Sequence, residues 1–163
     1  MKFKVGLGLL IVAAVSFGIG RTTADTRTKL NPKTAENLQT AMRGEAFAYA
    51  KYMLYAQHAR AAHHPEIADL FENAALTERH QHFVEEAELL GLVGSDADNL
   101  KDAIKGESYE VETMYFEFAH QAKTAGDQAA ADRFEEIRHD EMGHREAFKA
   151  ALDKLNAAAG TGQ

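Results

Sequence analysis

Apolar side chains recur at helical spacing through most of the chain. From about Thr34 they return every three or four residues, as at Leu38, Met42 and Tyr49, which is typical of a helix that buries one face. The sequence HHP at 63–65 interrupts this pattern, and its proline suits the first position of a new helix. Two consecutive helices are therefore predicted, one on each side of this break.

Glycines and capping residues mark the ends of the later helices. The second helix is predicted to end at Gly91, because glycine readily adopts the left-handed conformation that closes a helix. Ser95, three residues before Asp98, fits the N-cap of a third helix. A turn at 126–127 separates it from a fourth helix over about 128–156. Helices of these lengths are each ~40 Å long.

The two halves of this helical region repeat each other. NLQTAMRGEAF (37–47) aligns with NLKDAIKGESY (99–109) at an offset of 62 residues, and ADLFENAALTE (68–78) aligns with ADRFEEIRHDE (131–141) at an offset of 63. The extra residue falls inside the third helix. A repeated helical hairpin predicts an all-α four-helix bundle.

Composition narrows the class of protein. The chain has 163 residues, two prolines, no tryptophan, no cysteine and a net charge of −7. The absence of cysteine excludes disulfides, thiolate catalysis, zinc fingers and iron–sulfur or rubredoxin centres. No group of basic residues forms the patch that nucleic-acid binding needs, so that class of partner is excluded too.

The first 24 residues differ from the rest of the chain. Lys2 and Lys4 precede an apolar run over 5–20, and the small residue Ala24 follows. This order predicts a secretory signal over 1–24, cut after Ala24, and a polar linker over 25–33. The apolar run is shorter than the ~20 residues that span a bilayer, although an uncleaved anchor in the membrane is the alternative. Periplasmic or secreted localisation is expected.

Four carboxylates occupy equivalent places in the repeat, one near the middle of each helix: Glu45, Glu78, Glu107 and Glu141. Glu110 lies three residues after Glu107, and His144 lies three residues after Glu141, so each pair shares a helix face. Unpaired carboxylates are costly in a bundle core, whereas a pair of metal ions neutralises them. The set predicts a carboxylate-bridged di-iron site, with manganese as a possible substitute.

Residues 34–155 resemble the di-iron domain of the rubrerythrin family, in the ferritin-like superfamily. The motifs that carry the resemblance are GEAFAYAKYMLYA (44–56), GESYEVETMYFEFA (106–119) and EMGH (141–144). The resemblance implies a ferritin-like four-helix bundle over 34–157. The terminal residues AAAGTGQ (157–163) are expected to fray, which predicts a disordered tail over 158–163. It also implies a cofactor of two iron ions that cycle between Fe²⁺ and Fe³⁺.

The resemblance implies a role for each acidic residue. Glu78 and Glu141 would bridge the two irons, and Glu45 and Glu107 would be terminal ligands on opposite irons. His144 would bind the same iron as Glu107.

Three further positions match the family's motifs. Glu110 would be the additional carboxylate that distinguishes this family from ordinary ferritins. Tyr52 and Tyr115 fall where the family places tyrosines that donate hydrogen bonds to the ligand carboxylates, and each can equally be a core aromatic residue.

The second helix departs from the family pattern. The family has Glu-x-x-His there, but position 81 is Gln81, and the histidines are His80 and His82. A one-residue π-type bulge would bring His82 into register with Glu78, and such bulges occur at functional sites. We therefore expect His82 to be an iron ligand and His80 to face solvent. The remaining histidines expected at the surface are His58, His63, His64, His120 and His139.

The family's rubredoxin domain has no counterpart in these residues, because they contain no cysteine. A reductive cycle therefore requires an external electron donor.

The short linker between the second and third helices restricts the assembly. Residues 91–97 reach only ~25 Å when fully extended, whereas the ferritin-like crossover must travel ~40 Å. Two arrangements remain: a simple up-down-up-down bundle, and a domain-swapped homodimer in which each hairpin pairs with the opposite hairpin of a second chain. The swapped dimer is the favoured interpretation, because it keeps the family's ligand geometry.

These features lead to three hypotheses about function. The first is an exported oxidoreductase, a peroxidase that reduces hydrogen peroxide at the di-iron centre. The second is a ferroxidase or iron-handling protein that oxidises Fe²⁺ with oxygen or peroxide. The third is a non-enzymatic metal-binding bundle.

Overall fold

The computed structural model of the protein describes residues 30–160. The described residues form four long helices and no strand: α1 (Pro32–Ala61), α2 (residues 65–90), α3 (residues 96–125) and α4 (Gln128–Gly160). The predicted signal over 1–24 and most of the predicted linker lie outside these residues.

Two of the helices contain a five-residue π-helical segment. In α2, the segment Glu78–His82 separates α-helical Pro65–Thr77 from α-helical Phe83–Leu90. In α3, the segment Glu110–Met114 separates Asp96–Tyr109 from Tyr115–Ala125. Each π segment adds one residue to the helix, and the one in α3 accounts for the extra residue of the repeat.

The predicted turns occur where glycine and serine were expected to place them. Gly91 and Gly126 have φ angles of 66° and 87° and close α2 and α3 in the left-handed conformation. The side chain of Ser95 accepts a hydrogen bond of 3.2 Å from the backbone N–H of Asp98, so it caps α3.

Two predicted boundaries are wrong. Helix α1 begins at Pro32 rather than Thr34, because the Asn31 side chain accepts a hydrogen bond of 2.9 Å from the backbone N–H of Lys33 and proline is preformed for the first turn. Helix α4 continues to Gly160, so the first residues of the predicted disordered tail over 158–163 are helical. The alanines before Gly160 favour this extension, because alanine has the highest helix propensity.

The helices pack as two separate hairpins. In the first hairpin α1 contacts α2, in the second α3 contacts α4, and within residues 30–160 no helix of one hairpin contacts a helix of the other. The predicted all-α fold of two related hairpins is thus confirmed. The up-down-up-down bundle within one chain is not formed, since it requires hairpin–hairpin contacts.

The seam inside each hairpin is built from small side chains. Ala56, Ala68 and Ala75 are almost fully buried between α1 and α2, and Ala119 and Ala131 are buried between α3 and α4. Alanine allows two helix backbones to approach closely, so each hairpin is held by a narrow alanine seam.

None of the helices in the described part of the chain combines the length and the apolar character that crossing a bilayer requires.

Candidate metal centre

Six of the seven predicted ligands lie in two groups, one in each hairpin, and Glu110 belongs to neither group. The first half-site consists of Glu45, Glu78 and His82, and the second half-site consists of Glu107, Glu141 and His144. Within each half-site one ligand atom from every residue lies within 4.8 Å of the other two. Each half-site therefore offers two carboxylates and one imidazole to a metal ion.

The π segment of α2 assembles the first half-site. His82 Nδ1 lies 2.7 Å from Glu78 Oε2 and 4.0 Å from Glu45 Oε2. In a regular α-helix residues four apart are rotated by about 40° relative to each other, and the wider π turn removes most of that rotation. The predicted bulge is present at Glu78–His82 and places the imidazole against the carboxylates.

The second half-site reaches a similar arrangement on a regular helix. His144 Nδ1 lies 2.6 Å from Glu141 Oε2, and the two residues are three apart in the unbroken helix α4. The hydrogen bond to Glu141 is the main cause that raises the pKa of His144 above its ordinary value of 6.5. The metal-free half-site therefore favours a protonated imidazole.

In the metal-free chain, burial and neighbouring carboxylates make several site carboxyl groups harder to ionise. Burial, a hydrogen bond to Glu78 and the charge of Glu78 raise the pKa of Glu45 above 4.5. Burial, a hydrogen bond to Glu141 and the charge of Glu141 do the same for the pKa of Glu107. Burial and the charge of Glu141 also raise the pKa of Glu110. Each half-site thus concentrates negative charge that only protons or metal cations can compensate.

One buried oxygen of the second half-site has no hydrogen-bond partner in the described structure. It is Oε2 of Glu107, which is inaccessible to solvent. A buried carboxylate oxygen without a donor is unfavourable, and a metal ion would supply the missing partner. This atom and the carboxylate–imidazole chemistry of the set fit a site for iron or a similar divalent ion.

Arg138 fixes the π segment of α3 beside Glu110. Its Nε donates a hydrogen bond of 2.9 Å to the backbone carbonyl of Val111, and its guanidinium lies 5.4 Å from the centre of the Phe116 ring. Val111 lies inside the π segment, so this bond ties the segment to α4 across the second hairpin.

Glu86 is an acidic residue that the sequence analysis missed. It lies four residues after His82 on α2. Its charge helps to raise the pKa of Glu45, although burial and Glu78 have larger effects. Its Oε2 is buried and has no hydrogen-bond partner in the described chain. The spacing from His82 was visible in the sequence. The repeat does not mark Glu86, because the equivalent position in the second hairpin is Phe148.

The two tyrosines belong to matching aromatic clusters. Tyr52 lies 5.9 Å from Phe71, and Tyr115 lies 6.2 Å from Phe134, measured between ring centres. Burial and the charges of nearby carboxylates, Glu110 first, raise the pKa of Tyr115 above 10.0. Hydrogen bonding of these tyrosines to ligand carboxylates stays a prediction.

The remaining histidines lie apart from both half-sites and are exposed, as is His80: His58, His63, His64, His120 and His139.

The chain is similar to known proteins over most of its length. The rubrerythrin family profile matches residues 36–88 and 77–152. Nigerythrin from Nitratidesulfovibrio vulgaris is 31% identical over 147 residues, which cover 82% of this chain and 72% of nigerythrin. Rubrerythrin-1 from Clostridium acetobutylicum is 30% identical over 139 residues, which cover 76% of this chain and 71% of that protein.

Solved structures of nigerythrin are also similar in sequence. The mixed-valence form is 33% identical and covers 83% of this chain and 72% of its own, with a TM-score of 0.39. The fully reduced form, described as all ferrous, is 31% identical with the same TM-score of 0.39. The family profile spans both hairpins and both half-sites. The chain therefore belongs to the rubrerythrin family of ferritin-like di-iron proteins.

Proposed function

We propose that the protein is a peroxidase that reduces hydrogen peroxide to water at a di-iron centre. The observation that carries this proposal is the pair of half-sites, each with two carboxylates and an imidazole within 4.8 Å of one another. Homology to nigerythrin, whose solved forms include mixed-valence and all-ferrous states, supports redox-active iron in this chain as well.

The proposed ligand set uses both half-sites. Glu78 and Glu141 would bridge the two irons, and Glu45 and Glu107 would each close one end. His82 and His144 would supply one nitrogen to each end of the set.

Glu110 and Glu86 would add negative charge beside the ligands, one in each hairpin. The interaction of Glu86 with Glu45 and that of Glu110 with Glu141 support this assignment, because they place each acid close to a ligand. Their carboxylates would favour the more highly charged, oxidised form of the centre.

When bound, a pair of ferrous ions supplies the two electrons that, with two protons, convert one hydrogen peroxide molecule into two water molecules. The chain's own residues hold the metal-binding side chains in place for this reaction. The π segment Glu78–His82 orients the first imidazole, and Arg138 holds the segment that carries Glu110. Hydrogen bonds of this kind orient the ligand side chains before a metal ion binds.

The electrons that return the centre to its ferrous form are proposed to come from an external donor. The chain has no cysteine, so it carries no cysteine-ligated iron centre of its own. A separate redox protein or a small reductant would fill this role.

The peroxidase proposal can be tested with the diferrous protein in a stopped-flow experiment. We expect the near-ultraviolet band of the oxidised centre to form faster with peroxide than with an equal concentration of oxygen. Faster oxidation by oxygen, with sustained turnover of excess Fe²⁺, would instead identify a ferroxidase. Rapid binding of iron without oxidation by either reagent would leave only a metal-binding role.

We also propose that the protein is exported, on the basis of Lys2, Lys4 and the apolar run over 5–20. The test is the mass of the protein recovered from a periplasmic fraction. The expected mature chain begins at Asp25. A full-length chain found only in the cytoplasm would contradict export, and one retained in the membrane would indicate an uncleaved anchor.

A further inference from the structure

We propose that the contact between Arg79 and Tyr49 fixes where the π segment of α2 begins and thereby selects Glu78 as a ligand of the first half-site. Without this contact the segment would be free to begin one turn earlier, and Arg79 would then take the place of Glu78. Arg79 and Tyr49 are positioning residues, because they act through the backbone of α2 and are not themselves proposed ligands. This inference rests on the proposed ligand role of Glu78.

The packing of α2 on α1 requires one extra residue in the middle of α2. Ala68, Ala75 and Ala87 are all buried in the seam with α1. Successive residues of an α-helix are rotated by about 100°, so Ala75 and Ala87, which are twelve residues apart, would point about 120° apart on a regular helix. A bulge that accommodates one residue reduces this angle to about 20°. The seam therefore requires a bulge close to the stretch between these two alanines.

The seam does not fix the turn in which the bulge lies. A bulge that ended at Glu78, instead of beginning there, would keep all three alanines in the seam. Residues 78–81 would then be turned back by up to one residue step, about 100°, and the residues from His82 onward would keep their places. Arg79 would occupy the place that Glu78 occupies now. The position of the π segment thus decides which of these two residues faces Glu45.

The earlier position of the segment would compete with metal binding. An arginine opposite Glu45 would put a positive charge where a metal ion is proposed to bind, and it would pair with this carboxylate. In the observed structure two carboxylates face each other instead, and burial and the nearby Glu78 raise the pKa of Glu45. Electrostatics in the metal-free chain therefore favour the earlier position, so another contact is needed to hold the observed one.

Arg79 reaches from the π segment across to α1. Its Nη1 donates a hydrogen bond of 3.2 Å to the hydroxyl oxygen of Tyr49, and its guanidinium lies 5.4 Å from the centre of the Tyr49 ring. The tyrosine is half-buried and the arginine is exposed. The contact therefore combines a hydrogen bond with a cation–π interaction on the outer side of the segment.

This contact keeps Arg79 away from the place opposite Glu45. Tyr49 lies four residues after Glu45 on α1, so the two residues mark neighbouring places one turn apart on the same face of that helix. Arg79 directly follows Glu78 on α2. With the arginine held at Tyr49, the residue left to face Glu45 is Glu78.

The second hairpin holds its π segment in a similar way. Val111 is the repeat equivalent of Tyr49, at the offset of 62 residues, and it lies inside the π segment of α3. Its carbonyl accepts a hydrogen bond of 2.9 Å from Arg138, whose guanidinium lies 5.4 Å from the centre of the Phe116 ring. Arg79 and Arg138 do not occupy equivalent positions in the repeat. Two unrelated arginines thus tie the two π segments, which supports a role for the tie in positioning the segments.

Moving the carboxylate by one residue tests the proposal on the full chain. Glu78→Gln alone removes a proposed ligand, so it is expected to lower the affinity for Mn²⁺ at least tenfold. Adding Arg79→Glu breaks the contact and supplies a carboxylate one residue later, so the π segment is free to move and the new carboxylate takes the vacant place. The affinity of this double variant, measured by calorimetric titration, should return to within about threefold of the wild type.

Two controls separate movement of the segment from a simple gain of negative charge. Glu78→Gln combined with His80→Glu gains a carboxylate at an exposed neighbouring position and should show no recovery. The pair Glu78→Gln and Arg79→Glu in a chain that lacks Gln81 should show no recovery either, because that chain has no extra residue to move.

Tyr49→Leu tests the contact while every proposed ligand stays in place. The affinity for Mn²⁺ should fall about fivefold, as expected for the loss of one hydrogen bond and one cation–π interaction. The backbone NMR signals of residues 74–82 in the metal-free protein should shift as the segment moves. The control is Arg60→Gln, which removes the 3.3 and 2.6 Å ion pairs with Asp69 and Glu72 between the same two helices. It lies outside the π segment and should leave the affinity unchanged.

Other outcomes overturn the proposal. Absence of recovery with Arg79→Glu would do so, as would an equal recovery with His80→Glu. Tyr49→Leu with the affinity of the wild type, or with a lower affinity but unshifted signals over 74–82, would show that the contact does not position the segment. If circular dichroism shows that the Glu78→Gln variants do not fold, the Tyr49→Leu measurement decides.

The result is independent of peroxide chemistry. Recovery of Mn²⁺ binding in the double variant, without peroxide turnover by the wild type, would refute the proposed function and keep the positioning role. Peroxide turnover by the wild type without recovery in the double variant would refute the positioning role and keep the function.

Discussion

His82 and Glu78 are joined by a contact of 2.7 Å between Nδ1 and Oε2, although they are four residues apart on α2. The intervening π segment makes this contact equivalent to the Glu141–His144 pair, which is three residues apart on a regular α-helix. Two different local structures thus give the two hairpins the same carboxylate–imidazole unit.

Deletion of Gln81 is expected to convert the π segment into regular α-helix. His82 would then follow Glu78 at a spacing of three, as in the second hairpin, so the affinity for Mn²⁺ should stay within about threefold of the wild type. The measurement is a metal titration followed by calorimetry. Loss of binding in this deletion would contradict the view that the bulge serves only to restore register.

Replacement of either half-site histidine by alanine is expected to weaken metal binding. Substitution of a residue that only hydrogen-bonds to a metal ligand already lowers metal affinity by about 10- to 100-fold. His82→Ala and His144→Ala, which remove a proposed ligand, should therefore each lower the affinity at least tenfold. The matched control is His80→Ala, because His80 is exposed and lies outside both half-sites. Equal losses in His80→Ala and His82→Ala would refute the assignment of His82.

Glu86→Gln is expected to lower the affinity of the first half-site for divalent metal by several-fold. The variant keeps the size of the side chain and removes a negative charge that acts on Glu45. Glu88→Gln, an exposed change two residues away, is the control. Identical metal titrations for the wild type and Glu86→Gln would show that Glu86 does not act on the bound cation.

Arg138→Met is expected to destabilise the second hairpin. It leaves the Val111 carbonyl without its 2.9 Å hydrogen bond, and an unsatisfied, partly buried acceptor costs about 1–3 kcal/mol. Arg133→Met, which removes an exposed ion pair with Glu136 on the same helix, should change the free energy of unfolding by less than about 1 kcal/mol. Urea denaturation of the two variants measures this difference.

The metal-free protein is expected to lose stability as pH rises. The folded chain raises the pKa values of Glu45, Glu107 and Glu110 above 4.5 and that of His144 above 6.5. Groups with raised pKa values stabilise the fold below their unfolded pKa values, and this contribution is lost as pH passes through the folded values. Urea denaturation between pH 4.5 and pH 8 should therefore give a falling free energy of unfolding.

Added metal should reverse this trend, because ligands must lose their protons to bind it. The stabilisation by saturating Mn²⁺ is expected to grow with pH over the same range. Local hydrogen bonds lower the pKa values of Asp98 and Glu146. These two residues therefore make the free energy of unfolding rise with pH, but they do so at lower pH. A metal-free stability that rises from pH 4.5 to pH 8 would contradict the raised pKa values.

The local features of the fold could be predicted because they depend on residues close together in sequence. Gly91, Ser95 and Gly126 set helix ends by their own backbone preferences, and the structure places them as expected. The π segment at Glu78–His82 was predictable from one misplaced histidine in a repeated motif. The end of α4 was not, because uninterrupted alanine carries no stop signal before Gly160.

Features that depend on packing were harder to infer. The repeat identified the carboxylates that recur, but Glu86 has no counterpart, and its proximity to Glu45 follows from how α1 lies on α2. Arg138 is an ordinary charged residue in sequence, and only the fold brings it to the Val111 carbonyl across the second hairpin. The separation of the hairpins could not be predicted, because the linker length is compatible with both a closed chain and an exchanged one.

The alanine seams have an evolutionary consequence. Ala68 and Ala75 are fully enclosed between α1 and α2, so each helix pair is a self-consistent module whose outer face can vary without disturbing its internal geometry. Duplication of the gene segment for one hairpin therefore also duplicates the metal half-site that the hairpin carries. Later drift then added a residue and an acid at different places in the two copies, as the π segments of α2 and α3 and the acids Glu86 and Glu110 illustrate.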